Sequence, residues 1–300
     1  MAQSSLFTDS LDCSSSAPDF FSLPDILLRA REIYEEAVAR YQPYAVVLLF
    51  SGGQDSTALL SVVHQLGLHV DFVMHLNTGT GVPAAREFVL SQSALVPYRF
   101  HLEDAGSVYV DTVLSRGFFG LGLRSHARSF HMLKHNPLVH ALSVLIRQRR
   151  HGRKILLLTG ARMAESVRRS VTAASPFRVE RSNIWCSLIH HMPNEMVLPS
   201  ISAGGLERSP VYGVLCKSGE CLCGTLCNRS EELSALKEFD PIHFKWITGL
   251  EREVLSRGFR YGWGMPIPNS EFTPAQLQLF EAPELCTSCV SNFSPSLVNP

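Results

Sequence analysis

Apolar residues along this chain fall into short continuous runs, separated by stretches in which they return every three or four positions. Residues 24–41 open the pattern. Ile26, Leu27, Ile33, Tyr34 and Val38 share one helical stripe with charges opposite, which predicts a helix and the start of the folded region. Residues 45–50 are continuously apolar and run into Gly52-Gly53, after which residues 56–66 return to helical spacing; a buried strand followed by a helix is expected. Residues 69–76 and 154–159 read as two further buried strands, each followed by a Gly-containing turn and a helix-like stretch. Such alternation predicts an α/β fold with a parallel sheet flanked by helices.

Between these strands lies a Gly and Phe loop at residues 117–122, then a helix over residues 130–147 interrupted at Pro137. Beyond Asn183 the pattern loosens. Two helices are expected there, residues 231–239 with Ser230 as N-cap and Pro241 past its end, and residues 244–257 stopped by Gly258. The last 40 residues read as loop apart from a short helix after Thr273 and Pro274, and no repeat of 20 to 50 residues is visible. Three parts follow: a disordered tail at 1–22, an α/β nucleotide-binding domain at 23–205, and a Cys-rich region at 206–300.

Charge and composition narrow the function class. The chain carries 27 Lys or Arg against 27 Asp or Glu, so no whole-surface attraction to nucleic acid or membrane is expected and any polyanion site must be local. Charged residues make up only 18% and apolar residues 45%, which excludes a disordered chain. No run of about 18 apolar residues occurs, so no membrane-spanning helix is expected. The first 21 residues are rich in Ser, Ala and Asp and lack the basic start of a signal peptide, which points to the cytoplasm.

The segment Ser51-Gly52-Gly53-Gln54-Asp55-Ser56-Thr57 stands between the first strand and its helix. Adjacent glycines let the backbone turn tightly and approach a ligand, and the helix that follows presents unpaired N–H groups and a positive dipole end; phosphate is the expected guest. Ser51, Ser56 and Thr57 add hydroxyl donors, and Asp55 is placed to cap the helix or to hold Mg2+. The GxxxxGK[ST] spacing of an ordinary P-loop is absent.

SGGxDS after a buried strand resembles the PP-loop ATP pyrophosphatases, the adenine-nucleotide alpha-hydrolase superfamily. Two more segments resemble its phosphoadenosine phosphosulfate (PAPS) reductase-like branch over about residues 44–230. These are Asn77-Thr78-Gly79-Thr80-Gly81 after the second strand, and Gly160-Ala161-Arg162 with Glu165, Ser166 and Arg169 in a GxRxxES..R pattern. The resemblance implies a Rossmann-like fold, cleavage of ATP between its α and β phosphates, and catalytic roles for Asp55, Arg162 and Arg169. Nucleotide contacts are implied at residues 51–57, at Asn77, Thr78 and Gly79, and at Gly160, Arg162, Glu165 and Ser166. Spacing adds to this: Arg162, Glu165, Ser166 and Arg169 stand at i, i+3, i+4 and i+7, on one helix face beyond a strand's carboxyl end. Residues 147–181 hold ten Lys or Arg against two Glu, a local excess of eight and a candidate nucleic-acid surface. His131, His135 and His140 have no acidic or Cys partner at metal spacing and are expected to be ordinary surface or pocket residues.

Six of the eight cysteines lie beyond residue 200, which suggests a metal site rather than a disulfide scaffold. Cys216, Cys221, Cys223 and Cys227 are clustered, and Cys286 and Cys289 form a CxxC pair. Gly219-Glu220-Cys221-Leu222-Cys223-Gly224 resembles a GECxCG segment of uncharacterised PAPS reductase-like proteins that also carry a terminal CxxC. The expected ligands are therefore Cys221, Cys223, Cys286 and Cys289, with Cys216 and Cys227 as substitutes, holding a 4Fe-4S cluster or Zn2+. Cys186 reads as a small buried hydrophobe.

The chain lacks the ECGLH-type terminal segment of PAPS reductases and the adjacent Cys-Cys pair of assimilatory adenylyl-sulfate reductases. The resemblance then implies an enzyme that adenylylates an acceptor, in sulfur transfer to nucleic acid, with a cysteine desulfurase or other sulfur donor as partner. A sulfonucleotide reductase without the usual nucleophile and a nucleotide-binding module with structural zinc are the alternatives.

Overall fold

The computed structural model describes residues 22–146, 154–165 and 175–268. Cys13, Ser166, Arg169, Cys286, Cys289 and the helix expected after Thr273 lie outside the described residues.

Helix α1 (Leu23–Tyr41) starts at Ser22, whose hydroxyl accepts from the Asp25 N–H while the Asp25 carboxylate accepts from the Ser22 N–H. This reciprocal cap makes Ser22 part of the fold rather than of the tail. Strand β1 (Ala45–Leu49) follows, then α2 (Gln54–Gln65), β2 (Phe72–Asn77), α3 (Pro83–Ala94), β3 (Phe100–Asp104), α4 (Val108–Arg116) and α5 (Leu123–Phe130). The chain continues through a π-helical turn, His131–His135, directly into α6 (Asn136–Leu145). Pro137 thus lies where the π-helical turn passes into α6, and its missing N–H removes one rung from an otherwise continuous helical run, the interruption expected there. After β4 (Ile155–Leu158) come a 3-10 turn, Met163–Glu165, strands β5 (Phe177–Glu180) and β6 (Asn183–Cys186), then α7 (Val197–Ala203), α8 (Tyr212–Leu215), α9 (Arg229–Phe239) and α10 (Pro241–Ser256). Asn228, not Ser230, is the N-cap residue of α9, and Pro241 begins α10, where the Asp240 carboxylate accepts from the His243 N–H at 2.9 Å.

The sheet order is β3-β2-β1-β4-β6-β5, parallel except for β5. The central strands β1 and β4 are apolar throughout because both faces are covered. Val46 and Leu48 turn toward a core under α1, α2 and α7, while Ala45 and Val47 join Leu138, Ala141 and Leu142 of α6 on the other face. The chain steps outward from β1 to β2 and β3, then returns to lay β4 on β1's other side. Connections leaving β1 and β4 consequently part company at their carboxyl ends and open a crevice there. A third core joins Tyr109, Phe119 and Leu133 to Leu222, Leu236, Ile247 and Trp263, so residues on both sides of position 205 share it.

Candidate functional site

The loop after β1 turns at Gly52, whose φ of +74° suits glycine and where a Cβ would stand 2.8 Å from Val89 Cγ2. Gly53 then starts α2 with no side-chain cap, so the first-turn N–H groups face outward without a side-chain acceptor. Gly160, just past β4, presses on this same turn: a Cβ there would lie 2.8 Å from the Ser56 nitrogen and the Asp55 carbonyl carbon. The two diverging connections thus meet through bare backbone. Hydroxyls hold the loop's shape, with Ser51 Oγ and Ser56 Oγ 3.0 Å apart and Thr57 Oγ1 donating to the Gly53 carbonyl at 2.9 Å.

A cavity of about 460 Å³ opens above this turn, and Ser51, Gly53, Gln54, Asp55, Ser56 and Gly160 line it. Gly52 and Thr57, expected to contact the nucleotide, sit behind the wall: Gly52 makes the turn, and Thr57 is buried with its hydroxyl on the Gly53 carbonyl. The rest of the wall divides by chemistry. Leu49, Met74, Leu76 and Leu138 form an apolar side, while Lys134, Asn194, Tyr212, Lys217 and Glu220 supply polar groups.

Asp55 and Arg162, expected to act separately on magnesium and on phosphate, bind each other. Arg162 Nε and Nη2 each lie 2.8 Å from Asp55 Oδ1, and Nη1 donates to the Met192 carbonyl at 3.1 Å and to Asn194 Oδ1 at 2.9 Å. Arg162 is 5% exposed. It belongs to the interior and not to a polyanion surface. Of the other nine basic residues in 147–181, six lie outside the described residues, so the expected nucleic-acid face is not described as a surface. Glu165 closes the 3-10 turn after Arg162; the helix face expected to continue from it runs outside the described residues.

Lys134 and Lys217 are paired as well. Lys134 Nζ is 2.8 Å from Glu220 Oε2, and Lys217 bonds Glu232. Burial raises the Glu232 carboxyl above its usual range, against the pull of Lys217. Lys134 and His135 reach the wall from the π-helical turn, a local distortion frequent at functional sites. Sequence reasoning missed Lys134, Asn194, Tyr212, Lys217 and Glu220; the Glu220 in GECLCG was the one visible signal. Burial, then the Asp55 charge, raises the Tyr212 phenol.

Asn77, Thr78 and Gly79 do not reach this cavity. Thr78 is buried and donates to the Glu220 carbonyl at 2.8 Å, and Asn77 Nδ2 donates to Asp104 Oδ2 at 3.0 Å. Asn77 and Gly79 line an adjoining cavity of about 380 Å³ that shares Glu220 with the first. The segment also seats the GECLCG loop: Val82 N donates to the Gly219 carbonyl and Leu222 N to Thr80 Oγ1, both at 3.0 Å.

Of the expected metal ligands, Cys221 lies half-buried against the Thr80 hydroxyl and Cys223 is buried against Ser129 and Thr225, while Cys286 and Cys289 lie outside the described residues. Among the described residues no group of three His, Cys, Asp or Glu side chains is placed to hold a metal. Two thiols alone do not make the four-ligand set of a 4Fe-4S cluster or structural zinc. Cys227 is packed against Gly264 with its thiol raised to about 12 by burial, and Cys216 ends α8 in a left-handed conformation at the main cavity. Cys186 is fully buried, as expected, and burial pushes its thiol up. His135 lines the main cavity, whereas His140 pairs with Glu103 at 2.7 Å.

No family model and no curated protein matches the sequence. Solved structures similar to it include a PAPS reductase from Candida auris in complex with phosphate, 15% identical, covering 64% of this chain and 92% of the other at a TM-score of 0.45. An NMN synthetase from Francisella tularensis is 12% identical, with 79% and 91% covered and a TM-score of 0.48. A U34-tRNA thiolase from Methanococcus maripaludis with its 4Fe-4S cluster is 13% identical, with 82% and 84% covered and a TM-score of 0.38. At these scores the likenesses assign no activity, and the functional reading rests on the cavity itself. Among the described residues no helix is long and apolar enough to cross a membrane.

Proposed function

We propose that the chain is an enzyme that binds ATP with Mg2+ in the cavity at the sheet's switch point, releases pyrophosphate and transfers the adenylyl group to an acceptor. One observation carries this reading: the uncapped first turn of α2, held by Gly160, opens into a cavity of about 460 Å³ with an apolar side. That volume is in the range of small-molecule sites, roughly 300–1,000 Å³.

Backbone N–H groups of the first α2 turn, with the Ser51 and Ser56 hydroxyls, face the phosphates and favour their charge. Asp55 is 23% exposed on the cavity side of its pair with Arg162, and its carboxylate fits a hard cation. Mg2+, when bound, supplies charge neutralisation for departing pyrophosphate. Arg162 fixes the Asp55 carboxylate from behind and is a positioning residue. Leu49, Met74, Leu76 and Leu138 exclude water and accept the flat face of a base. No step runs through a Cys-bound metal, because the described residues supply two of the four expected thiols.

Calorimetric titration with ATP and Mg2+, together with a pyrophosphate-release assay, tests the reading. Binding of ATP, with pyrophosphate formed once an acceptor is supplied, is expected. Absence of binding by ATP or AMP at millimolar concentration overturns it.

A further inference from the structure

At the rim of the main cavity stands Arg208, in the turn between α7 and α8. That turn is anchored on both sides: Leu206 and Ser209 are buried, and Glu207 N donates to Gln92 Oε1 at 2.8 Å. Arg208 itself is exposed. Its guanidinium lies 5.0 Å from the centre of the Tyr212 ring, and its Nε and Nη2 donate to the Gln54 side-chain oxygen at 2.8 and 3.2 Å. Both partners belong to the cavity wall, and Gln54 is the first residue of α2, whose opening N–H groups have no side-chain cap. The cations within the wall differ in kind. Lys134, Lys217 and Arg162 each pair with a carboxylate, whereas among the described residues Arg208 has no carboxylate partner. A neutral amide and a ring face leave the guanidinium charge whole. Of the five N–H donors in its planar fork, Gln54 takes two, so the Nη1 edge keeps donors for a guest. Phosphate oxygens match such an edge, and a fork already fixed by an amide loses little freedom in binding them.

We propose that Arg208 binds the terminal phosphates of the bound triphosphate and holds pyrophosphate as it leaves, an assignment that rests on the ATP reading above. Arg208 exchanges no proton in this role. It meets the charge that collects on the β and γ oxygens when the bond between the α and β phosphates breaks. Gln54 keeps the fork beside the α2 turn, and the Tyr212 ring supports it from the wall. On this assignment a nucleoside monophosphate makes no contact with Arg208, so the residue separates triphosphate from monophosphate without touching the base.

The test is calorimetric titration of the purified full chain with inorganic pyrophosphate and Mg2+, with ATP and Mg2+, and with AMP, in the wild type and in Arg208→Ala and Arg208→Lys. Arg208→Ala should raise the dissociation constants of pyrophosphate and ATP by at least about tenfold and leave that of AMP within about twofold. Arg208→Lys, a point charge without the fork, should recover only part of the loss. A residue that merely supported the rim would shift all three ligands together. Equal pyrophosphate and ATP affinities in wild type and Arg208→Ala overturn the proposal and leave the ATP reading standing; so does a loss that AMP shares equally. A wild-type chain that binds neither ATP nor AMP overturns the ATP reading, and the proposal with it.

Discussion

Arg162 directs its guanidinium at three protein acceptors, the Asp55 carboxylate, the Met192 carbonyl and the Asn194 side chain. A lysine offers a point charge and cannot hold that fork, so Arg162→Lys should cost about 1–3 kcal/mol of stability and loosen Asp55. Denaturant unfolding reads the first effect, and a raised ATP dissociation constant in the presence of Mg2+ reads the second. His75 makes a second prediction at this scale. Burial, with Lys134 and Arg86 adding to it against the Phe50 hydrogen bond, lowers its pKa from 6.5 to about 4. The unfolded chain therefore binds this proton more readily than the folded one. Its contribution to stability is complete above pH 6.5 and is lost as pH falls toward 4, on the order of 2–3 kcal/mol. His75→Gln should flatten the unfolding free energy over that interval, and an unchanged slope would show that His75 titrates normally.

At the scale of elements, Gly160 is where β4 touches α2. Gly160→Ala puts a methyl against the Asp55 and Ser56 backbone, so the turn must shift. ATP affinity should fall by at least about tenfold while circular dichroism keeps the α/β signature, since small displacements of a binding turn are costly. Unchanged affinity would detach the turn from the site. How this junction was legible in sequence is physical: β1 is buried on both faces and reads as a continuous apolar run, and Gly52-Gly53 marks the turn. Strand β3, Phe100–Asp104, was not legible because its residues are half-buried or exposed and include His101, Glu103 and Asp104. The π-helical turn was visible only as the interruption at Pro137, which gives neither its type nor its extent; with it went Lys134. Asn77, Thr78 and Gly79 are ambiguous for a different reason. A Gly-rich segment after a strand suits a ligand or a second loop equally, and here the GECLCG loop takes the place.

Across the whole molecule, 27 basic residues balance 27 acidic ones, and the three Lys and Arg side chains in the cavity wall each touch a carboxylate of the same chain. Among the described residues the cations of the wall are thus neutralised, so the ATP association rate should change by less than about threefold between low and physiological salt. Stopped-flow measurement across that range checks this, and a steep fall with salt would show an unbalanced positive face. The balance has a consequence for selectivity. A wall whose cations are spent on carboxylates of the same chain selects its guest by contact, so a bulk polyanion gains nothing there from charge alone.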